Sequence, residues 1–546
     1  MKRLLLALLA LLAVPSLAQA QDLKDRFNIR LIAQGMYEAE QTSASPGYAR
    51  EAQQSSPFEL GYADLRAVID GRRLPGSFDL HLDGRVRITG EFSTDAATQG
   101  ANQITSRGYD GGREYQVINA WVRRRGENVD FGLGRMVVNE ADALRIDGAR
   151  LWWRVAKHWD LSLYAGAYPD PYSRSLTDDY SGGFAFAGGA DTTYTYDKIW
   201  GSVSVNSSYL GGKNDGGAVY TGTGIPTKET PRTWVTWTDY VRLFSWFDLF
   251  TDLVVDVTGA GGAQLTRLDA LATIRAGKHL TFHAGYDHLS AIAIEMWLTR
   301  FLTDRVNLAA GTVENNLIVE RTARDEVRGD ATVDFGKVSI FADGRFRKRA
   351  SLTLSDDPQF AGANGQLVFP GLAYDATFGF RDRGSLAGLR MGLWGSYISD
   401  YRSRNLILGL ELGRSFLDDR LSVDLSFLYA DTRDTLANNP ATQPCNTAAP
   451  VVVTNTASGP VYAGGGAALV NQSCYGLRSG AEYETGITIT GAPSAHWFMF
   501  LDYRLVADKS GGSVVSATTP NMPVTPALVE PTILTHVLLL RLEARY

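Results

Sequence analysis

Arginine and carboxylate side chains recur at every second position along several stretches of this 546-residue chain. In Ser77–Phe92 one parity carries Asp79, His81, Asp83, Arg85, Arg87 and Glu91. The other parity carries Phe78, Leu80, Leu82, Val86, Ile88 and Phe92. In Val338–Arg349, Ser339, Asp343, Arg345, Arg347 and Arg349 alternate with Val338, Ile340, Ala342 and Phe346. Asp375, Thr377 and Arg381 alternate in the same way with Leu372, Tyr374, Ala376, Phe378 and Phe380. A β-strand sends successive side chains to opposite faces, so each stretch reads as a strand with one charged and one apolar face. Arginines clustered on a low-dielectric wall can bind carboxylate, sulfate or phosphate groups. They can also pair with neighbouring acids, here Glu326, Asp330 and Asp375, and stiffen the sheet. That second reading is the favoured one.

Catalytic chemistry has little to stand on. The seven histidines are His81, His158, His279, His283, His288, His496 and His536. His279 and His283, four residues apart on one strand, stand about 13 Å apart and cannot share a metal ion unaided. The chain has no Gly-x-Ser-x-Gly, no His-Glu-x-x-His and no phosphate-binding glycine loop. No enzyme activity, metal or cofactor is therefore expected. A lipase or protease site assembled across strands is the less favoured alternative. A net charge of -6 argues against nucleic acid as a partner.

The elements that must carry these faces begin and end distinctively. Lys2-Arg3, an apolar run over residues 4–14 and Ala18-Gln19-Ala20 have the layout of a cleaved export signal, which places the mature domain at 21–546. Beyond it no stretch approaches the roughly 20 apolar residues of a membrane helix. At the other end, Leu534, His536, Leu538, Leu540, Leu542, Ala544 and Tyr546 share one parity, opposite Arg541, Glu543 and Arg545. An apolar face closing on a terminal aromatic resembles the last strand of Gram-negative outer-membrane β-barrels. That resemblance implies that assembly machinery reads the strand ending at Tyr546. It further implies that lipid and lipopolysaccharide meet the apolar face, with Arg541, Glu543 and Arg545 in a lumen.

Between the ends, short connectors alternate with long ones. Ten hairpin-sized turns are expected near Arg73–Gly76, Gly126–Asn128, Lys157–His158, Asp197–Lys198 and Trp246–Asp248, then near Gly277–His279, Gly336–Lys337, Gly384–Ser385, Leu417–Arg420 and Ala492–Ala495. Longer connectors fall at 41–57, 93–113, 169–183, 211–231, 289–325, 350–371, 432–475 and 510–531, with shorter ones near 139–142, 260–263 and 400–404. With a first strand at 27–40 and a last at 533–546, these turns give about 22 strands. The fold class is a closed antiparallel transmembrane β-barrel, all long loops at one rim and all short turns at the other. Trp159, Trp200, Trp246 and Trp497 lie beside short turns, where an interfacial girdle would fall. Ser290–Leu302 has helical spacing and reads as a short helix at the barrel mouth, with an extra hairpin as the alternative. Cys445 and Cys474 are expected to pair, in an exported setting where disulfides persist, and so to staple loop 432–475.

The overall layout resembles porin-like channels and alginate-export-type barrels. It implies passive passage or export of polar solutes or polysaccharide, with the bore narrowed by loop 432–475 and the 290–302 segment. TonB-dependent transporters also have 22 strands but carry an N-terminal plug, and strand-like sequence here starts at about Phe27. The alternative is a non-conducting structural or adhesive barrel that binds through its outer loops. The inward sets carry acids and arginines in near balance, so strong selectivity for one ion sign is not expected.

Overall fold

The structure is a computed structural model. It describes residues 26–42, 58–91, 113–169, 176, 180, 185–210, 232–258, 263–290, 323–349, 371–400, 403–434, 480–510 and 532–545. Short pieces at 294–295, 305–307, 312–314, 319–320, 352–355, 366–369, 451–456 and 459–463 are also described. The export signal, both cysteines and Tyr546 lie outside the described residues.

The wall begins with β1 (Phe27–Thr42), β2 (Phe58–Leu74), β3 (Phe78–Glu91), β4 (Arg113–Arg124), β5 (Val129–Val138) and β6 (Leu144–Ala156). It continues with β7 (Trp159–Ala167), β8 (Ala185–Thr195), β9 (Ile199–Leu210), β10 (Arg232–Phe244), β11 (Phe247–Thr258) and β12 (Gln264–Ala276). Next come β13 (Leu280–Ser290), β14 (Ala323–Phe335), β15 (Val338–Arg349), β16 (Leu372–Leu386) and β17 (Leu389–Ser399). The last five are β18 (Ser403–Phe416), β19 (Leu421–Asp434), β20 (Gly480–Ser494), β21 (Trp497–Ser510) and β22 (Thr532–Arg545). Each pairs antiparallel with its neighbours in sequence, and β22 closes on β1 from Arg30↔Arg545 to Thr42↔Ile533. The result is a closed barrel of 22 strands, as the hairpin count implies. Closure leaves no free strand edge.

The alternation in sequence becomes an outside and an inside. On β3, Phe78, Leu82, Val86 and Ile88 are exposed while Asp79 and Asp83 are buried. On β22, Leu538 and Leu540 are exposed while Glu543 is only 1% exposed. Apolar groups left outside and carboxylates buried inside invert the logic of a water-soluble sandwich.

Four local expectations need correction. The strand runs on through Gly384–Ser385 to Leu386, and the chain turns at 387–388. Asp382 accepts hydrogen bonds from the backbone N–H groups of Gly384 and Ser385 at 3.0 and 2.8 Å, and the register shifts between Arg383 and Leu386. Gly384, at φ +107°, thus serves a bulge rather than a turn. The Ala492–Ala495 turn likewise lies slightly later, at 495–496, after a register shift between Gly491 and Ser494. Within segment 290–302, Ser290 ends β13 and Ile294–Glu295 is a strand paired with Val319–Glu320, so the extra-hairpin alternative holds there instead of the helix; residues 291–293 and 296–302 lie outside the described residues. Of the tryptophans beside turns, Trp159 and Trp497 share the outward parity, opposite Tyr194 and Ala544. Trp200 instead shares the inward parity of Ser202 and Ser204 and stacks on Tyr240, so it belongs to the lumen.

Candidate functional site

The lumen is narrowed at the short connector 139–143 between β5 and β6. In the β5–β6 hairpin, Gly134 lies opposite Gly148, and Gly148 lies opposite Gly166 of β7. This row of three glycines marks a limit. Pairing of β4 with β5 ends at Ala120↔Arg135, and pairing of β6 with β7 ends at Asp147↔Ala167. Beyond it, Met136–Val138 and Leu144–Ile146 pair only with each other. Gly134 has φ +128°, and a Cβ there would collide with the Ala120 carbonyl. A Cβ on Gly148 would meet the Gly166 backbone. Only glycine lets the three strands approach this closely while the hairpin bends out of the wall.

The bent tip, residues 139–143, packs inward against β8, β9 and β10. Met136, Val138, Ala141, Leu144 and Ile146 form a buried cluster with Tyr164, Ala187, Trp234 and Val254. Above the glycine row the two faces therefore exchange character. The parity that carries Asp130 and Arg150 lower down carries Val138, Leu144 and Ile146 at the tip. Arg135 and Asp147 take the opposite face. Asp147 receives Arg135 at 2.5–2.6 Å and the Tyr180 hydroxyl at 2.5 Å, and Arg135 also donates to the Val117 carbonyl at 2.9 Å. That carbonyl belongs to the part of β4 that β5 has left. Leu176 donates its backbone N–H to the Tyr115 carbonyl of the same strand.

Charged contacts fasten the tip. Arg150, buried, donates to Ser162 at 3.0 Å, Asp191 at 2.9 Å and Glu140 at 3.0 Å. Its guanidinium also faces the Trp152 ring. The Thr236 hydroxyl donates to the Glu140 carbonyl. Arg267 of β12 reaches Asp142 at 2.7 Å and Asp252 at 2.5 Å, so the tip is tied to a strand seven places further round the wall. Magnitudes rank these contacts. Burying each large aliphatic side chain of the cluster is worth about 1.5–3 kcal/mol, whereas a half-exposed ion pair such as Asp142–Arg267 is worth about 0–1 kcal/mol. Apolar packing holds the hairpin inward, and the ion pairs orient its tip.

The charged residues singled out from sequence all lie on the inner parity, in three separate clusters. In the first, Asp79 takes Arg125, Asp83 takes Arg66 at 2.6 Å, and Arg87 reaches Asp64 at 3.0 Å. Arg85 sits between Asp64 and Glu114, each at 3.6 Å. In the second, Arg345 and Arg347 share Asp375 at 3.4 and 2.8 Å, and Arg349 stands opposite Arg324. In the third, Arg541 and Arg545 clasp Glu543 from both sides at 2.7 Å. Pairing with lumen acids therefore describes the contacts of Arg85, Arg87, Arg345, Arg347, Arg541 and Arg545. Asp375 is a partner as expected, whereas Asp330 pairs with His283 at 2.7 Å, and Glu326, opposite Arg347, enters no ion pair among the described residues. The tip set (Glu140, Asp142, Arg150, Asp191 and Arg267) was not picked out from sequence. The available signal was grease on the lumen parity at Val138, Leu144 and Ile146. Across the bore, a cavity of about 770 Å³ lies on the inner wall of β12–β16, lined by Arg328, Asp343, Arg345, Arg381 and Phe341 among others.

A closed antiparallel barrel, apolar and aromatic outside and ion-paired inside, is a transmembrane β-barrel of the outer-membrane type. No family model and no curated protein matches the chain. Among solved structures it is similar to the Pseudomonas aeruginosa protein OccK11 (OpdR), at 10% identity over 96% of this chain and 97% of that one, with a TM-score of 0.34. Acinetobacter baumannii OccAB4 gives 9% identity, 95% and 98% coverage and a TM-score of 0.37. The ferric enterobactin receptor PfeA of P. aeruginosa gives 10%, 94% and 80%, and 0.43. The class rests on the barrel itself rather than on these distant likenesses.

Proposed function

We propose that the protein is an outer-membrane channel through which polar solutes, or a polysaccharide chain, pass without an energy source. The carrying observation is a polar lumen narrowed by its own wall, with the β5–β6 tip crossing toward β12. Water and ions are stable against the charged inner face, and the inward tip sets what fits. On this reading the short turns face the periplasm, lipid and lipopolysaccharide surround the apolar face, and assembly machinery recognises β22 with Tyr546. Supporting this last point, β22 presents exposed Leu538 and Leu540 on one face and the Arg541–Glu543–Arg545 clasp on the other. The test is planar-bilayer recording of the purified protein. Stepwise conductance is expected, larger when residues 136–146 are replaced by a tight turn. Absence of any steps from the folded protein sinks the channel reading.

A further inference from the structure

One row of the inner wall is built unlike the rest. Phe341 of β15, Gly379 of β16, Trp394 of β17 and Gly409 of β18 are directly opposite one another in register. Both glycines are buried beneath rings: a Cβ on Gly379 would collide with Phe341, and one on Gly409 with the Trp394 indole. Phe341 is covered on its other side by the Arg381 guanidinium, 4.7 Å from the ring centroid. Among the described residues Trp394 has no such cover and its indole N–H has no partner, and the ring is part-exposed.

Polar groups border this ring above and below. Two residues up the strand is Ser396, which accepts a hydrogen bond from Thr377 at 3.0 Å. Two residues down is Gly392, over which the exposed Glu411 carboxylate leans. Arg381 lies on the far side of Gly392 in the same row. Most lumen arginines are held by carboxylates, yet neither Arg381 nor Glu411 enters an ion pair among the described residues. An open aromatic face edged by a guanidinium and a carboxylate, neither held in an ion pair among the described residues, offers a ligand an apolar surface together with donors and acceptors at its rim. It matches the chemistry of a pyranose ring. Axial C–H groups, weakly positive, meet the negative face of the indole, while equatorial hydroxyls reach the planar groups around its edge.

We infer that Trp394, flanked by Arg381 and Glu411, is a lumen subsite for a neutral saccharide. The inference rests on the channel reading and names the solute class for it. Charge at the platform cancels between Arg381 and Glu411, which is why the sugar is neutral. The buried glycines are what bring the ring flat to the wall, so that it binds without closing the bore.

Titration calorimetry of the intact protein in a polyoxyethylene detergent tests this, with maltohexaose and cellohexaose as probes. At least one is expected to bind, and Trp394→Leu is expected to weaken it tenfold or more. Trp394→Phe keeps a ring and should stay within about threefold. Arg381→Gln and Glu411→Gln should each lose several-fold. Heat-modifiable gel migration must be unchanged in every variant scored, which separates lost binding from lost fold. Neither sugar binding, or Trp394→Leu binding as well as the parent, overturns the subsite. Binding that survives in a protein giving no bilayer conductance would sink the channel reading and leave the subsite standing.

Discussion

At the scale of single residues, two perturbations of the inward tip should differ sharply. Ile146 is fully buried in the apolar cluster, whereas Asp142 makes one part-exposed ion pair. Replacing Ile146 by Asp buries a charge with no partner and costs several kcal/mol, enough to free the tip. Removing the Asp142 carboxylate costs about 1 kcal/mol or less. Ile146→Asp should therefore raise single-channel conductance and its noise, while Asp142→Ala should leave mean conductance nearly unchanged. The reverse order of effects would show that the latch, not the grease, holds the constriction. Arg150 supplies a second case. Removing it leaves Asp191 buried with, among the described residues, only the Ser162 hydroxyl as a hydrogen-bond partner. Arg150→Ala should destabilise by about 3–5 kcal/mol, and Arg150→Ala with Asp191→Ala should recover most of that in urea unfolding from lipid vesicles. Additive losses would mean the two side chains do not act as a pair.

At the scale of elements, the glycine row decides whether the hairpin is wall or constriction. Gly148 tolerates no Cβ because the Ala165 carbonyl and the Gly166 backbone occupy that space. Gly148→Val should lower the unfolding midpoint, by a strain cost of about 1–3 kcal/mol, and change conductance because the bend cannot form unaltered. An unchanged midpoint and conductance would remove the row from the mechanism. This element also shows where sequence reading stops. Turn residues and period-two alternation are local signals, so Lys157–His158, Gly277–His279 and Leu417–Arg420 could be placed from sequence within a residue or so. A hairpin that leaves the sheet keeps the same period and the same short connector. Only the exchange of faces, with Val138, Leu144 and Ile146 where charge stood before, distinguishes it. That exchange is visible only after the inward parity of the neighbouring strands is known. For the same reason Arg267, remote in sequence from Asp142, could not be assigned as its partner.

At the scale of the whole molecule, alternation specifies which face each strand turns to the lumen, and so fixes register only modulo two. A slip of one residue would put Arg541 and Glu543 into lipid and is excluded by cost. A slip of two residues preserves every face and changes only the shear of the barrel, hence its bore. The observed closure sets Ala33 opposite Leu542, both on the outward parity, with Gly35 opposite Leu540. Here tertiary contacts decide what pattern cannot. Glu543 sits between Arg541 and Arg545 on the inner face, and Ile32 packs across from it, buried. A slip by two would carry Glu543 opposite Arg30 or Gln34 and open that packed corner. In a background with Cys445→Ser and Cys474→Ser, the pair Ala33→Cys and Leu542→Cys should therefore form a disulfide on mild oxidation, since directly opposed strand residues lie within bonding reach. Ala33→Cys with Leu540→Cys should not. The bonded form should migrate as a circular chain on a denaturing gel after boiling and return to the linear position with reductant. Equal cross-linking of both pairs would mean that the first and last strands slide past each other, and the bore would then be set by something other than this register.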